Sequence, residues 1–212
     1  MSIYQLKPAF QKMLRPGVVR LHALGVTANQ VTVLACVISV VLGLGLFFME
    51  PSPLAFALIP LWMFVRMAFN AIDGMLAREH GQQTPLGAFL NELTDVVSDA
   101  ALYLPFVLVL PGNPFWLGLV IVLAGLSEFA GALGTSVGAS RRYDGPMGKS
   151  DRAFVFGALG LALGLGLPMP GWTALLMPLL AVLIAVTTVR RVRSALTERV
   201  AASSSSQTKG SS

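Results

Sequence analysis

Residues 70–99 read NAIDGMLAREHGQQTPLGAFLNELTDVVSD, and the fold turns on them. The stretch lies inside what are otherwise two apolar runs, yet it carries Asn70, Asp73, Arg78, Asn91, Glu92, Asp95 and Asp99. Polar groups at membrane depth are costly, so a cluster of them points to function by default. On helices, Asn70 and Asp73 lie three apart and Asn91, Asp95 and Asp99 step by four, which puts each set on one face. Residues 81–84 read as a tight turn, and the midpoints of 73 with 91 and of 70 with 95 both fall at residue 82 or 83. An antiparallel hairpin therefore brings these polar positions to one depth. Gly74, Ala77 and Gly87 are small enough to let two backbones, or a bound pyrophosphate, come close. The plainer alternative is a helix pair held together by its own polar hydrogen bonds.

The chain around this stretch excludes a soluble domain. It has 212 residues, of which 55% are hydrophobic and 12% charged, with a mean hydropathy of +0.73, and is long enough for several membrane spans. The expected fold is all-α: a polytopic membrane protein of six transmembrane helices with an N-terminal amphipathic interfacial helix. Residues 3–21 mix Ile3, Leu6, Phe10, Met13 and Leu14 with Lys7, Lys12 and Arg15, as suits a helix on the membrane surface, and Pro8 and Pro16 limit its length. No removable signal peptide is read at the start. The spans are expected at about 27–49, with Thr27 as N-cap, then 54–80, 84–110, 115–139, 149–167 and 172–191. Residues 1–200 form the membrane domain, and the serine-rich residues 201–212 a disordered polar tail.

Charge sets the orientation. The connections 49–53, 111–114 and 167–171 contain no Lys or Arg, whereas the N-terminal arm, the Arg78 turn, the loop 141–152 and the segment 190–199 are rich in them. Both termini are therefore expected in the cytoplasm, with Trp116 and Trp172 at the opposite interface. The hairpin turn falls on the cytoplasmic side, within reach of a nucleotide. A net charge of +5 reads as attraction to anionic membrane lipids and phosphorylated substrates; no nucleic-acid motif accompanies it.

At this point the residues resemble a family, the CDP-alcohol phosphatidyltransferases. Their pattern is D-x-x-D-G-x-x-A-R, eight residues, then G-x-x-x-D-x-x-x-D. Asp73, Gly74, Ala77, Arg78, Gly87 and Asp95 stand at that spacing, while Asn70 and Asn91 replace the first and third aspartates. Residues 27–29 are similar to the family's T-P-N segment with Ala28 for proline, and Gly81, Gln82 and Thr84 match its G-Q-x-T. The resemblance implies transfer of a phosphatidyl or substituted phosphoryl group from a CDP-linked lipid or alcohol donor, CDP-diacylglycerol above all, to an alcohol acceptor with release of CMP in phospholipid biosynthesis. It implies Mg²⁺ or Mn²⁺ held by Asn70, Asp73, Asn91 and Asp95, and Asp95 as the catalytic base; Asp99, one turn beyond Asp95 on the same face, is a further candidate ligand by helical phase. Asn29, Asp73, Gly74, Ala77, Arg78, Thr84 and Gly87 would bind the CDP moiety. Gly148 to Arg152 looks like the G-R-x-E-R stretch of phosphatidylinositol-phosphate synthases, which makes Lys149 and Arg152 candidates for an acceptor phosphate; topology alone would also put basic residues there. A bacterial inner (cytoplasmic) membrane location with a cytoplasm-facing site, and a homodimer, complete the expectation. The alternatives are a catalytically inactive CDP-lipid-binding homologue and, from another class, a small-solute transporter.

Some residues stay outside this scheme. Glu128, in the fourth expected span, is open to three readings: protonated, part of the site, or paired with a buried partner, for which Arg66 is at hand. Gly134 with Gly138, and Gly160 with Gly164, are spaced for close helix crossing. His22 and His80 fall near helix ends, where a solvated or interfacial role precedes a metal-binding one. The single cysteine, Cys36, supports no disulfide or cysteine metal site.

Overall fold

The computed structural model describes residues 3–49 and 52–209. The described residues contain no strand, and seven α-helices lie among them. An apolar chain that enters a bilayer has no water there to satisfy its backbone, and helices close those hydrogen bonds within one segment. In order they are α1 (Ile3–Ala23), α2 (Ala28–Phe48), α3 (Leu58–Glu79), α4 (Pro85–Tyr103), α5 (Pro114–Leu133), α6 (Lys149–Gly164) and α7 (Leu176–Lys209). Among the described residues four stretches are long and apolar enough to cross a membrane: Ala28–Phe48, Pro53–Glu79, Pro114–Val137 and Gly171–Ala201.

Several expectations change at this level. Two of the six expected spans are not among the four: α4 carries Glu92, Asp95 and Asp99, and α6, at 16 residues, is about 24 Å long against a hydrocarbon core of roughly 30 Å. Pro8 and Pro16 do not limit α1, which runs through both. Pro16 brings no N–H, so the Lys12 carbonyl loses its helical donor at an exposed residue, where water or a headgroup can replace it. The last helix continues to Lys209 through most of the serine-rich segment, and residues 210–212 lie outside the described residues.

The chain divides into two compact units, Met1–Leu102 with Leu159–Gly166, and Tyr103–Ala158 with Leu167–Ser212. In the first, Val18 of α1, Ala28 and Val31 of α2, and Met75 and Leu76 of α3 form one buried cluster. Thr27 caps α2 as expected, its hydroxyl accepting from the Gln30 N–H while the Gln30 side chain accepts from the Thr27 N–H. A Cβ at Gly43 would collide with the Ala101 backbone, so α2 and α4 cross with bare main chain in contact. Gly160 and Gly164 behave as their spacing predicts: a Cβ on either would meet Phe56 and Pro60, or Ala57, at about contact distance or closer.

In the second unit α5 packs along α7, and Tyr103 stacks on Phe156 at 3.8 Å between ring centroids. Gly134 and Gly138 do not form a crossing pair. Gly138 ends the turn Thr135–Val137 at φ +81°, a left-handed conformation that stops the helix and that glycine adopts without strain. In its place Gly131 and Gly134 let the backbone of Ser140 and Arg142 approach. The outward residues of the apolar helices, such as Val33, Val37 and Val41 on α2 and Leu61 and Phe64 on α3, are exposed, as acyl chains require.

Candidate active site

Helix α3 ends on a device that its sequence dictates. Gly81 takes φ +67°, and the Gln82 N–H turns back to the Ala77 carbonyl at 3.1 Å. The Gln82 side chain then bridges to the start of α2: its Oε1 accepts the Ala28 N–H at 2.7 Å and its Nε2 faces the Val26 carbonyl at 3.4 Å. Two residues on, the Thr84 hydroxyl accepts the Gly87 N–H at 2.9 Å and so caps α4. The reversal is short, and α3 and α4 are held side by side in a fixed register.

That register brings most of the sequence-expected residues together. A Cβ on Gly87 would lie 2.8 Å from Asn29 Oδ1 and 3.1 Å from Thr84 Oγ1, so Asn29, Thr84 and Gly87 share one small space that only glycine leaves open. Arg78 folds its guanidinium over Gly74, 2.9 Å from where a Cβ would stand. Asp73 is buried, with the Thr32 hydroxyl 2.7 Å from its Oδ2 and 3.0 Å from the Ala28 carbonyl; its single proton serves one of them at a time. Asn70, Asn91 and Asp95 are half-buried and Asp99 is buried.

The sequence reading missed what holds the deep end of this cluster. Arg66, 5% exposed, donates from NH1 to Asp99 Oδ1 at 2.6 Å and from NH2 to Asp95 Oδ1 at 3.0 Å and the Asp95 carbonyl at 3.2 Å. It is the partner of these two aspartates, not of Glu128. The signal was available: residues 66, 70 and 73 share one helical face, and the sums 66 with 99, 70 with 95 and 73 with 91 are nearly constant, as antiparallel rungs require. By spacing the rungs are Arg66–Asp99, Asn70–Asp95 and Asp73–Asn91, of which Arg66–Asp99 is a direct pair in the structure.

The second unit holds another buried set. Glu128 accepts from Arg152 NH2 at 2.9 Å, lies 3.3 Å from Arg191 NH1 and 3.8 Å from Arg141 NH2. Arg152, fully buried, also reaches Ser127 Oγ and the Met147 carbonyl, and Arg191 donates to the Ser127 carbonyl at 2.5 Å. Lys149 is half-buried at the start of α6. In the loop before it, Arg142 grips Asp144 with two hydrogen bonds of 2.8 and 3.0 Å, and these hold the Asp144 carboxyl below its ordinary range.

As a metal site the first cluster is only part-filled with charge. The carboxylate of Asp73 and the amide oxygens of Asn70 and Asn91 are hard donors suited to a divalent cation. Among the described residues, however, no three His, Cys, Asp or Glu side chains gather as such a site would favour, and Asp95 and Asp99 already hold a guanidinium. Counted by charge, Asp73 with two amide oxygens matches a single divalent ion more nearly than a pair.

A helix hairpin with these spacings defines a class. A family profile described as CDP-alcohol phosphatidyltransferase matches residues 25–189, and the chain belongs to that family. It is 45% identical over 196 residues to the inner membrane protein YnbA of Escherichia coli (strain K12), covering 92% of this chain and 97% of that one. Among solved structures it resembles the phosphatidylinositol phosphate synthase of Mycobacterium tuberculosis with CDP-DAG bound, at TM-score 0.72 and 26% identity over 88% of this chain and 94% of that one. The same enzyme in complex with manganese and citrate matches at TM-score 0.70 and 27% identity, over 86% and 88%. The chain is an integral membrane protein with the helices of a phosphatidyltransferase.

Proposed function

We propose that this protein transfers a phosphatidyl or substituted phosphoryl group from a CDP-linked donor, CDP-diacylglycerol first among them, to an alcohol, with release of CMP. The observation that carries the reading is the α3–α4 hairpin, on which Asn29 and Thr84 meet at Gly87 and Arg78 folds over Gly74. A solved relative of the same fold binds CDP-DAG, and another of its structures holds manganese.

In this mechanism the acceptor oxygen forms a bond to the donor's phosphorus, the bond from that phosphorus to the CMP oxygen breaks, and the hydroxyl proton passes to Asp95. Arg78 binds the pyrophosphate through its fork of donors. Gly74, Ala77 and Gly87 let the nucleotide approach the backbone, and Asn29 and Thr84 orient it. Arg66 fixes the carboxylate of Asp95 through contacts to both its side chain and its carbonyl. A divalent cation, Mg²⁺ or Mn²⁺, held by Asn70, Asp73, Asn91 and Asp95, would neutralise developing phosphate charge when bound. Lys149 and Arg152 are the proposed contacts of an acceptor phosphate, and because Arg152 already has Glu128 as its anion, a phosphate there must share or displace that carboxylate.

Purified protein given CDP-diacylglycerol and a panel of alcohols should release CMP only with the right acceptor. Tight donor binding with no CMP release from any alcohol would instead establish an inactive CDP-lipid-binding homologue.

We further propose six spans in the bacterial inner membrane, with both termini and the site on the cytoplasmic side and α1 at the interface. The short helices α4 and α6 then cross as well, with Asp95 and Asp99 of α4 turned to Arg66 and its apolar Phe89, Leu93 and Val97 outward, an arrangement in which carboxylates are tolerated. In a Cys36→Ala background, single cysteines at Pro111 and Met169 should react with an impermeant maleimide added outside the cell. Reaction only in inverted vesicles would overturn this orientation.

A further inference from the structure

We propose that Arg66 is a resident cation of the site, standing where a second divalent ion would otherwise be needed, so that the α3–α4 ladder takes one divalent cation rather than two. The inference rests on the transferase reading above and concerns how that site is charged.

Charge counting comes first. A ladder with aspartate at all four motif positions carries four negative charges, enough to balance two dications. Here Asn70 and Asn91 contribute none, leaving Asp73 and Asp95. The additional carboxylate, Asp99, is matched by Arg66 at 2.6 Å. The three rungs therefore sum to two negative charges, the complement of a single dication. Binding a second would place positive charge beside a fixed guanidinium in a poorly solvated site, where like charges repel strongly.

Geometry gives the same result. One guanidinium spans the last two acidic positions of α4, reaching Asp95 Oδ1, the Asp95 carbonyl and Asp99 Oδ1. A planar fork of donors suits such bridging, and unlike a metal ion it is neither exchanged nor titrated. The side chains of Arg66 and Asp99 are each only 7% exposed. An arginine in the middle of an apolar helix is costly unless paired, and this one is paired with the carboxylates that a second ion would have claimed. The rival account is a purely structural clamp between α3 and α4, which would leave the number of bound ions unchanged if its charge were removed.

The two accounts separate on ion binding measured without substrate. Native protein in detergent is titrated with Mn²⁺ alone, and bound ions are counted from the loss of the free-ion electron paramagnetic resonance signal. One ion is expected; two, or none, would overturn the proposal. Arg66→Gln should admit a second ion or tighten binding by about tenfold, because the opposing charge is gone. Arg66→Lys should retain the native count of one. Binding by Arg66→Gln indistinguishable from native would also overturn it. If Arg66→Gln does not fold, Asn70→Asp with Asn91→Asp leaves the Arg66–Asp99 pair intact and brings the sum to four negative charges, so a second bound ion is expected, and a count of one would overturn the charge balance on which the proposal rests. Ion counting does not depend on turnover. One bound Mn²⁺ with no CMP release would sustain the resident cation and reject the transferase, whereas CMP release with two bound ions would do the reverse.

Discussion

Asp95→Asn lowers CMP release by roughly 10²–10⁴-fold, the range expected when a general base is lost, and Asp73→Ala has an effect of similar size. The two losses have different origins. Asp95→Asn keeps the side chain's shape but cannot take the acceptor's proton, so kcat falls even at saturating Mn²⁺, where the loss of one charged cation ligand is compensated. Asp73→Ala removes the one carboxylate on the α3 side of the ladder and strips the Thr32 hydroxyl of its partner at 2.7 Å, so the divalent-cation requirement should rise along with the loss of rate. Both proteins should still elute as folded species, because neither change touches the Arg66–Asp99 pair or the Val18–Leu76 cluster. The assay is CMP release against donor and Mn²⁺ concentration. Near-native turnover in Asp95→Asn would leave the proposed mechanism without its base.

The largest effect on stability is expected outside the motif, at Glu128. This carboxylate is 7% exposed and sits among Arg141, Arg152 and Arg191, of which Arg152 and Arg191 are almost wholly buried. Glu128→Ala would take from those guanidinium groups the buried carboxylate they share, a change that costs about 3–5 kcal/mol when one partner of a buried ion pair is removed. Thermal unfolding in detergent should show it as a lower midpoint. Arg152→Met added to Glu128→Ala should recover part of the loss, since the pair is then removed together rather than broken. A Glu128→Ala protein with the native midpoint would show that water or lipid headgroups already compensate these arginines.

The hairpin and the members of its cluster were legible in the sequence because independent constraints coincide there: helical phase, equal distances from the turn, and small residues at the approach. Arg66 was legible too, since the same phase and the same distance from the turn that join the motif residues point it to Asp99. Two isolated charges in apolar runs, Arg66 and Glu128, nonetheless invite pairing with each other, and only tertiary structure supplies the arginine cluster around Glu128. Spacing likewise failed to say where a helix stops: Gly134 and Gly138 fit a crossing motif, but the left-handed φ of Gly138 is a property of the folded loop. The same limit applies to α1, where two prolines counted as terminators are absorbed by a helix that can lose a hydrogen bond at an exposed residue. Thr32 and Arg191 could not have been singled out, since each matters only through a residue about 40 or more positions away.

The bridge made by Gln82 changes what a motif match is worth as a diagnostic. Its amide is used at both ends, accepting from Ala28 N–H and facing the Val26 carbonyl; glutamate would lack the donor and lysine the acceptor. Gly81 supplies the left-handed residue and Thr84 the cap of the next helix, so each of the three matching positions in G-Q-x-T has a full-time task in closing the turn. A chain that had lost all chemistry would still need them to keep the fold. Finding those letters in another sequence therefore identifies how its helices are joined, and only the carboxylates further in can say whether anything reacts there.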